Sequence, residues 1–344
     1  MIAALLKEVD IQRNYLGDDR IETVYFGGGT PSLLDISELK SILEKLRGRF
    51  TIAEDAEITL ETNPDDISEA ILEGWKQSGI NRLSMGIQSF FAEDLQWMNR
   101  AHTAEQAEKS LLLATQYFSN ITVDLIYGSP LLTDEKWAQN VSKILSLDIP
   151  HISCYALTVE PKTPLQKMIK NGQVENINPD KQSVQFLYLM EKLAGAGYEH
   201  YEISNFAKPG WRSKHNSSYW TGKRYLGLGP SAHSFDGKSR QWNIANNNIY
   251  IKSLKEDILS FEKEELTDTQ KMNEYTMTSL RTMEGLDLSF FEKNFGKANR
   301  ERVERAAKKY IATGKIIFSG SGHILLTKEG KLFADGIASD LFAV

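Results

Sequence analysis

The chain has 344 residues, 41% of them hydrophobic, with a formal net charge of −6 and a pI near 5.7; this length allows two domains, or one large domain with an appendage, around a well-filled core. The acidic balance argues against a general nucleic-acid binder, and no apolar run reaches the roughly 18 residues of a membrane span. One cysteine, Cys154, excludes an intrachain disulfide and any site built from several cysteines.

The first segment, MIAALLKEVD, reads as a helix with Ile2, Leu5, Leu6 and Val9 on one face. Its acidic residues come too early for a signal peptide, so a cytoplasmic protein is expected. A strand–helix unit then repeats. IETVYFGGG is a predicted strand, and ISELKSILEKLRGRF a helix with Leu39, Ile42, Leu43 and Leu46 inward. EITLETNP is a strand, followed by a helix to Gly79 with Asp66 and Glu69 as the expected capping box. NRLSMGIQSF, NITVDLIYGSP and HISCYALTV are strands, each followed by a helix, over residues 103–118, 135–147 and 181–195. About five such alternations with short links predict an α/β fold with a parallel sheet covered by helices. Right-handed crossovers make it a barrel, a partial barrel or an open doubly wound sheet. Polar residues gather at the strand C-terminal ends, where parallel β/α folds build their sites: Gly28 to Thr30, Glu61 to Asn63, Gln88, Asp124, and Tyr155 beside Ala156. Strands contributing in turn favour a barrel-like array.

After about residue 198 the chain becomes rich in aromatics, glycine and polar residues with no clear period, a composition typical of functional segments. From about residue 267 a helix, a short helix around 289–295, a helix over 300–313 and a hairpin turning at 319–322 suggest a winged-helix module. Its RERVERAAKK helix is interrupted by Glu301 and Glu304, so nucleic acid is not the expected partner. The expected division is 1–197 barrel, 198–265 irregular segment and 266–344 winged-helix-like α+β domain.

Gly27-Gly28-Gly29 exposes backbone to a ligand with no Cβ in the way, and Pro31 suits the opening of the next helix. There is no G-x-G-x-x-G and no Gly-Lys-Thr, so neither a dinucleotide fingerprint nor a P-loop is present. Glu61 and Asp124 suit an ammonium or ribose hydroxyls, Gln88 can donate or accept, and Arg100 can pair a carboxylate bidentately. Together they suit a zwitterionic amino acid attached to a nucleoside. Taken singly, each is as readily a structural cap or a surface charge.

GGGTPS, LETNP, LSMGIQSF, NRAHT, VDLIYGSP and YALTVEP, in this order and spacing, resemble the radical S-adenosylmethionine proteins related to oxygen-independent coproporphyrinogen III oxidase. The resemblance implies a partial (βα)6 barrel holding S-adenosylmethionine across the strand ends. It places Gly28, Gly29 and Thr30 against the methionine end, with Glu61, Gln88, Arg100, Asp124 and Ala156 lining the rest. HNSSYW, His215 to Trp220, is similar to the HNxxYW motif of the haem chaperone (HemW) branch, as are YEHYEISNFAKPG and YLGLGPSAHSF. His215 with Tyr219 and Trp220 is then expected to form a haem-facing patch, imidazole as ligand or donor and aromatics against the porphyrin. The plainer alternative is a histidine satisfying a loop beside packed aromatics. His233 is a second candidate; His102 and His200 read as structural.

The same family holds a 4Fe–4S cluster on C-x3-C-x2-C, thiolates being the soft ligands it needs, in a loop after the first barrel strand. Here that strand and all three cysteines are missing before the helix at Met1. Cys154, inside a predicted strand, reads as a small buried apolar residue. A truncated form is therefore expected, unable to hold the cluster or cleave S-adenosylmethionine, with residues 22–26 as an open sheet edge inviting self-association. The expected function is haem binding and delivery to a haem-accepting respiratory protein. The alternative is radical decarboxylation of coproporphyrinogen III, and a winged-helix regulator is the weakest reading.

Overall fold

The computed structural model describes residues 1–343. Its central sheet has seven strands: β1 (Ile21–Phe26), β2 (Ile52–Thr62), β3 (Arg82–Gln88), β4 (Ile121–Tyr127), β5 (His151–Ala156), β6 (Glu199–Glu202) and β7 (Asn205–Ala207). They lie in the order β1-β2-β3-β4-β5-β7-β6, leaving β1 and β6 as its two edges, so the α/β sheet is a half-barrel and does not close. Strands β2 to β5 pair in parallel, and β7 runs antiparallel to both β5 and β6. The β6–β7 hairpin falls in the segment whose sequence shows no period. Strands of four and three residues are too short for alternation to register.

The helices are α1 (Ile2–Ile11), α2 (Ile36–Arg47), α3 (Glu69–Ser78), α4 (Ala92–Trp97), α5 (Ala104–Tyr117), α6 (Asp134–Ser146), α7 (Pro164–Lys170), α8 (Pro179–Gly195), α9 (Lys214–Trp220) and α10 (Asn247–Lys255). Helix α2 buries Leu39, Ile42, Leu43 and Leu46, the stripe its 3.6-residue period predicts. The start of α3 differs from expectation. Ser68 is the N-cap, its side chain accepting from Ile71 N, while Asp66 lies in a preceding 3-10 turn and accepts from Ser32 Oγ at 2.6 Å. Serine two residues closer to the helix outcompetes the acid for the first-turn N–H groups.

The chain divides into two compact units. One comprises Phe26–Leu33 and Thr59–Ser213, the other Met1–Tyr25, Leu34–Ile58 and the chain from Lys214 onward. The first is built on Trp75, Leu83, Trp137 and Phe206, all at most 1% exposed. In the second, Glu8 of α1 is wholly buried and accepts from Gly229 N at 2.8 Å, from Asn243 Nδ2 at 2.6 Å and from the Tyr250 hydroxyl. That carboxylate ties α1 to the loop carrying Gly229, to β9 (Ser239–Asn243) and to α10. Strand β9 is the middle of a three-stranded antiparallel sheet with β8 (His233–Phe235) and β10 (Phe261–Glu265).

The C-terminal module has α11 (Asp268–Leu280), β11 (Leu286–Asp287), α12 (Leu288–Phe295), α13 (Lys297–Ala312), β12 (Ile316–Phe318), β13 (His323–Leu326) and α14 (Ala334–Asp340). Its sheet order β11-β13-β12 and the β12–β13 hairpin give the winged-helix arrangement. On α13, Arg300 pairs with Glu292 and Glu304, Arg305 with Glu301, and Lys309 with Asp340, so carboxylates meet much of its basic charge.

Candidate functional site

Strand β1 leads into the glycines. Gly28 (φ +76°) and Gly29 (φ +65°) are left-handed, and nothing lies within 4 Å of where their Cβ atoms would sit. The backbone conformation, rather than crowding within the chain, accounts for these two glycines, and the space above them is open. Gly28 N donates to Glu61 Oε2 at 3.2 Å, so the loop is held by the carboxylate at the end of β2. Gln88 ends β3 beyond a break in register with β4 and is also left-handed (φ +64°), a strained conformation for a residue with a Cβ. Asp124 of β4 sits in register with Ser153 of β5 and accepts from Ser84 Oγ at 3.3 Å. Loss of solvation raises its pKa from 3.8 to about 6, against the opposing hydrogen bond from Ser153. Gln88, Asp124, Ile126, Tyr155, Ala156, Leu157 and Thr158 line a cleft of about 280 Å³.

Arg100 reaches the site from the loop after α4. Its Nη2 donates to Asn63 Oδ1 at 2.7 Å and contacts Gly86 O at 3.4 Å, and its Nε is buried without a partner. Gly86 makes the cradle: a Cβ there would lie 2.9 Å from Gln88 Nε2 and 3.2 Å from Arg100 Nη2. The sheet thus brings together two carboxylates, a carboxamide, a guanidinium and bare backbone. Such a donor set fits a ligand with an ammonium, a carboxylate and sugar hydroxyls. Below Asp124 the same sheet face stays polar. Arg82 donates to Thr122 Oγ1, which meets His151 Nδ1 at 3.0 Å, and His151 Nε2 meets the Tyr201 hydroxyl at 2.7 Å. Burial holds the His151 pKa well below the usual imidazole value, so it is neutral. This hydrogen-bonded layer was not singled out from sequence; the alternation of polar residues Arg82/Ser84, Thr122/Asp124 and His151/Ser153 was its only signal.

Cys154 is 1% exposed, and burial pushes its thiol pKa far up, so it is no thiolate. Among the described residues no group of three or more His, Cys, Asp or Glu is placed to hold a metal ion. The donors present therefore do not fit an iron–sulfur cluster.

In the other unit, α9 carries His215, Tyr219 and Trp220. Glu57 of β2, 5% exposed, accepts from Lys214 N at 3.0 Å and His215 N at 2.9 Å, meeting two N–H groups at the helix start. His215 Nδ1 meets the Thr23 hydroxyl at 2.8 Å, and its ring stacks on Tyr25 (centroids 4.6 Å apart) and meets Tyr219 edge-on at 5.1 Å. Tyr219 continues the row to Tyr225 at 4.8 Å. Trp220 turns instead beneath the Arg281 guanidinium, 5.1 Å from its ring. His215 and Tyr219 are thus brought together and Trp220 is set apart. Glu57 was missed from sequence, a buried acid in a strand whose neighbours Glu54 and Asp55 are exposed. His233 is exposed on β8 and stacks with Trp242. His102 is buried with Nε2 on Ile87 O, and His200 packs on Phe206 with Nε2 on Ile203 O.

Comparison with known proteins matches residues 5–144 to the Radical SAM superfamily and residues 266–333 to the HemN C-terminal domain. "Heme chaperone HemW" of Mycobacterium tuberculosis (strain ATCC 25618 / H37Rv) is 31% identical over 342 residues, covering 99% of this chain and 85% of that protein. "Heme chaperone HemW" of Bacillus subtilis (strain 168) is 31% identical over 324 residues, 93% of this chain and 85% of that protein. Among solved structures, coproporphyrinogen III oxidase (HemN) from Escherichia coli, described as a radical SAM enzyme, superposes with a TM-score of 0.84 over 99% of this chain and 82% of that one, at 23% identity. At that identity the match speaks for the fold alone. No helix among the described residues is long and apolar enough to cross a membrane.

Proposed function

This chain belongs to the HemW haem chaperone family of radical S-adenosylmethionine proteins, and on that premise we propose that it binds haem and passes it to an acceptor protein. The observation that carries the reading is the setting of His215. Thr23 engages Nδ1 and Tyr25 supports one ring face, the outer-shell arrangement that orients ligating imidazoles. In this reading His215 is the haem ligand or donor, Tyr219 lies against the porphyrin, and Trp220 anchors α9 through Arg281. A haem-accepting respiratory protein is the proposed recipient, and a cytoplasmic setting accords with the one buried cysteine.

The strand-end site is proposed to take S-adenosylmethionine, with Gly28, Gly29 and Thr30 at the methionine end and Glu61, Gln88, Arg100, Asp124 and Ala156 around the remainder. When bound, that group supplies sulfonium chemistry driven by a 4Fe–4S cluster in radical S-adenosylmethionine proteins. We propose that residues 1–344 alone do not carry the cluster, since their one thiol is buried and protonated. Anaerobic reconstitution is expected to leave well under one cluster per chain by iron and sulfide analysis; near-stoichiometric 4Fe–4S would overturn this. Edge strand β1 is the proposed route of any self-association.

Haem titration followed in the Soret band tests the delivery reading. His215→Ala is expected to weaken haem binding at least about tenfold, the scale of a lost axial or charge-assisted contact. The enzyme alternative, radical decarboxylation of coproporphyrinogen III propionates, uses the same fold. Turnover of coproporphyrinogen with S-adenosylmethionine and reductant, with haem binding unchanged in His215→Ala, would replace the chaperone reading.

A further inference from the structure

Asn63 makes the shortest hydrogen bond to Arg100, 2.7 Å from Oδ1 to Nη2. Among the described residues no carboxylate pairs with this guanidinium. Its other acceptor is the Gly86 carbonyl, and its Nε is buried with no partner. A partly buried cation oriented by neutral oxygens alone is an incomplete ion pair, since burial strengthens its demand for a counter-charge. The missing Cβ of Gly86 is what lets Arg100, Gln88 and Asn63 converge over β3.

We propose that Asn63 is a positioning residue that holds Arg100 by a neutral oxygen, so that the guanidinium keeps its charge for the carboxylate of the bound amino-acid ligand. The inference rests on the proposed S-adenosylmethionine site and assigns its anion selectivity to one pair. An aspartate at 63 would present nearly the same shape, but it would supply the counter-ion itself and fill the guanidinium internally. Asn63 therefore sets selectivity by being uncharged, which a purely structural asparagine would not do.

The experiment is calorimetric titration of the full chain with S-adenosylmethionine and with its decarboxylated analogue, which keeps the sulfonium, amine, ribose and adenine. The wild-type chain is expected to prefer the carboxylate ligand by about tenfold or more. Asn63→Asp is expected to bring that ratio near one, by loss of S-adenosylmethionine affinity with the analogue held within about threefold. Arg100→Gln should do the same, and Asn63→Ala should lower the ratio by less, which keeps the test open if the aspartate variant folds poorly. Asn63→Asp retaining the wild-type ratio would overturn the proposal. So would equal weakening of both ligands, which is the signature of a structural role. A wild-type chain that binds both ligands equally removes this inference and leaves the cofactor site standing. A wild-type chain that binds neither removes the cofactor site and this inference with it.

Discussion

Asp124→Asn is expected to weaken S-adenosylmethionine binding by about tenfold or more at pH 7.5, the worth of a hydrogen bond to a charged acceptor, and to flatten its pH dependence. Burial at the cleft raises the Asp124 pKa to about 6. The carboxylate that would accept from ammonium or ribose groups is therefore ionised at pH 7.5 and lost as pH falls through 6. In the wild-type chain affinity should drop toward tenfold per pH unit between 6 and 5, the limit for one linked proton. The unliganded fold shows the opposite sign. A carboxyl whose folded pKa is raised stabilises most below its unfolded value near 4, and that contribution is lost as pH rises through about 6. Asp124→Asn should thus raise the apo unfolding free energy at pH 7.5 by about 1–3 kcal/mol, the worth of a carboxyl pKa raised from 3.8 to about 6, discounted for the partly open cleft. Thermal unfolding and titration calorimetry across pH 5–8 measure both. An asparagine variant with wild-type affinity at pH 7.5 would remove Asp124 from the site.

Glu8→Ala is expected to destabilise the chain by roughly 3–5 kcal/mol, read as a fall in the urea midpoint. The wholly buried carboxylate satisfies the Gly229 N–H, the Asn243 amide and the Tyr250 hydroxyl, and all three donors would be left in the interior. Each such orphan costs about 1–3 kcal/mol. Burial raises the Glu8 pKa while those three hydrogen bonds pull it down. Tyr250→Phe, which removes one donor without stranding another, should cost only about 1 kcal/mol. A change below about 1 kcal/mol for Glu8→Ala would mean that α1 is not locked by this residue.

The two proposed sites differ in how far the sequence alone reveals them. Glu61 and Gln88 stand at strand C-terminal ends, Asp124 lies within β4 and Arg100 in the loop after α4; in a parallel β/α fold this edge of the sheet converges by topology, so chemistry and position together predicted a shared site. The HNxxYW stretch was visible as a motif, but its internal geometry was not. His215 and Tyr219, one helical turn apart, pack against each other, while Trp220 turns to Arg281, 61 positions away along the chain, and His215 is held by Thr23 and Tyr25, farther away still. The β6–β7 hairpin was unreadable for a related reason, since three- and four-residue strands carry too little alternation to register.

Periodicity and ordered motifs, all local in the chain, were enough to establish the α/β repeat, the winged-helix tail and the family, and strand-end chemistry was enough to nominate residues for the proposed strand-end site. Partners distant in sequence had to be seen in three dimensions. The Glu57 clamp on α9 spans more than 150 positions and the Glu8 lock more than 200. The Asn63–Arg100 pair depends on a glycine in a third place whose missing Cβ makes the room. Hydrophobic patterning encodes which face of an element is buried. It does not encode which buried polar atom meets which, because that match is settled only when the elements pack and every desolvated donor must find an acceptor.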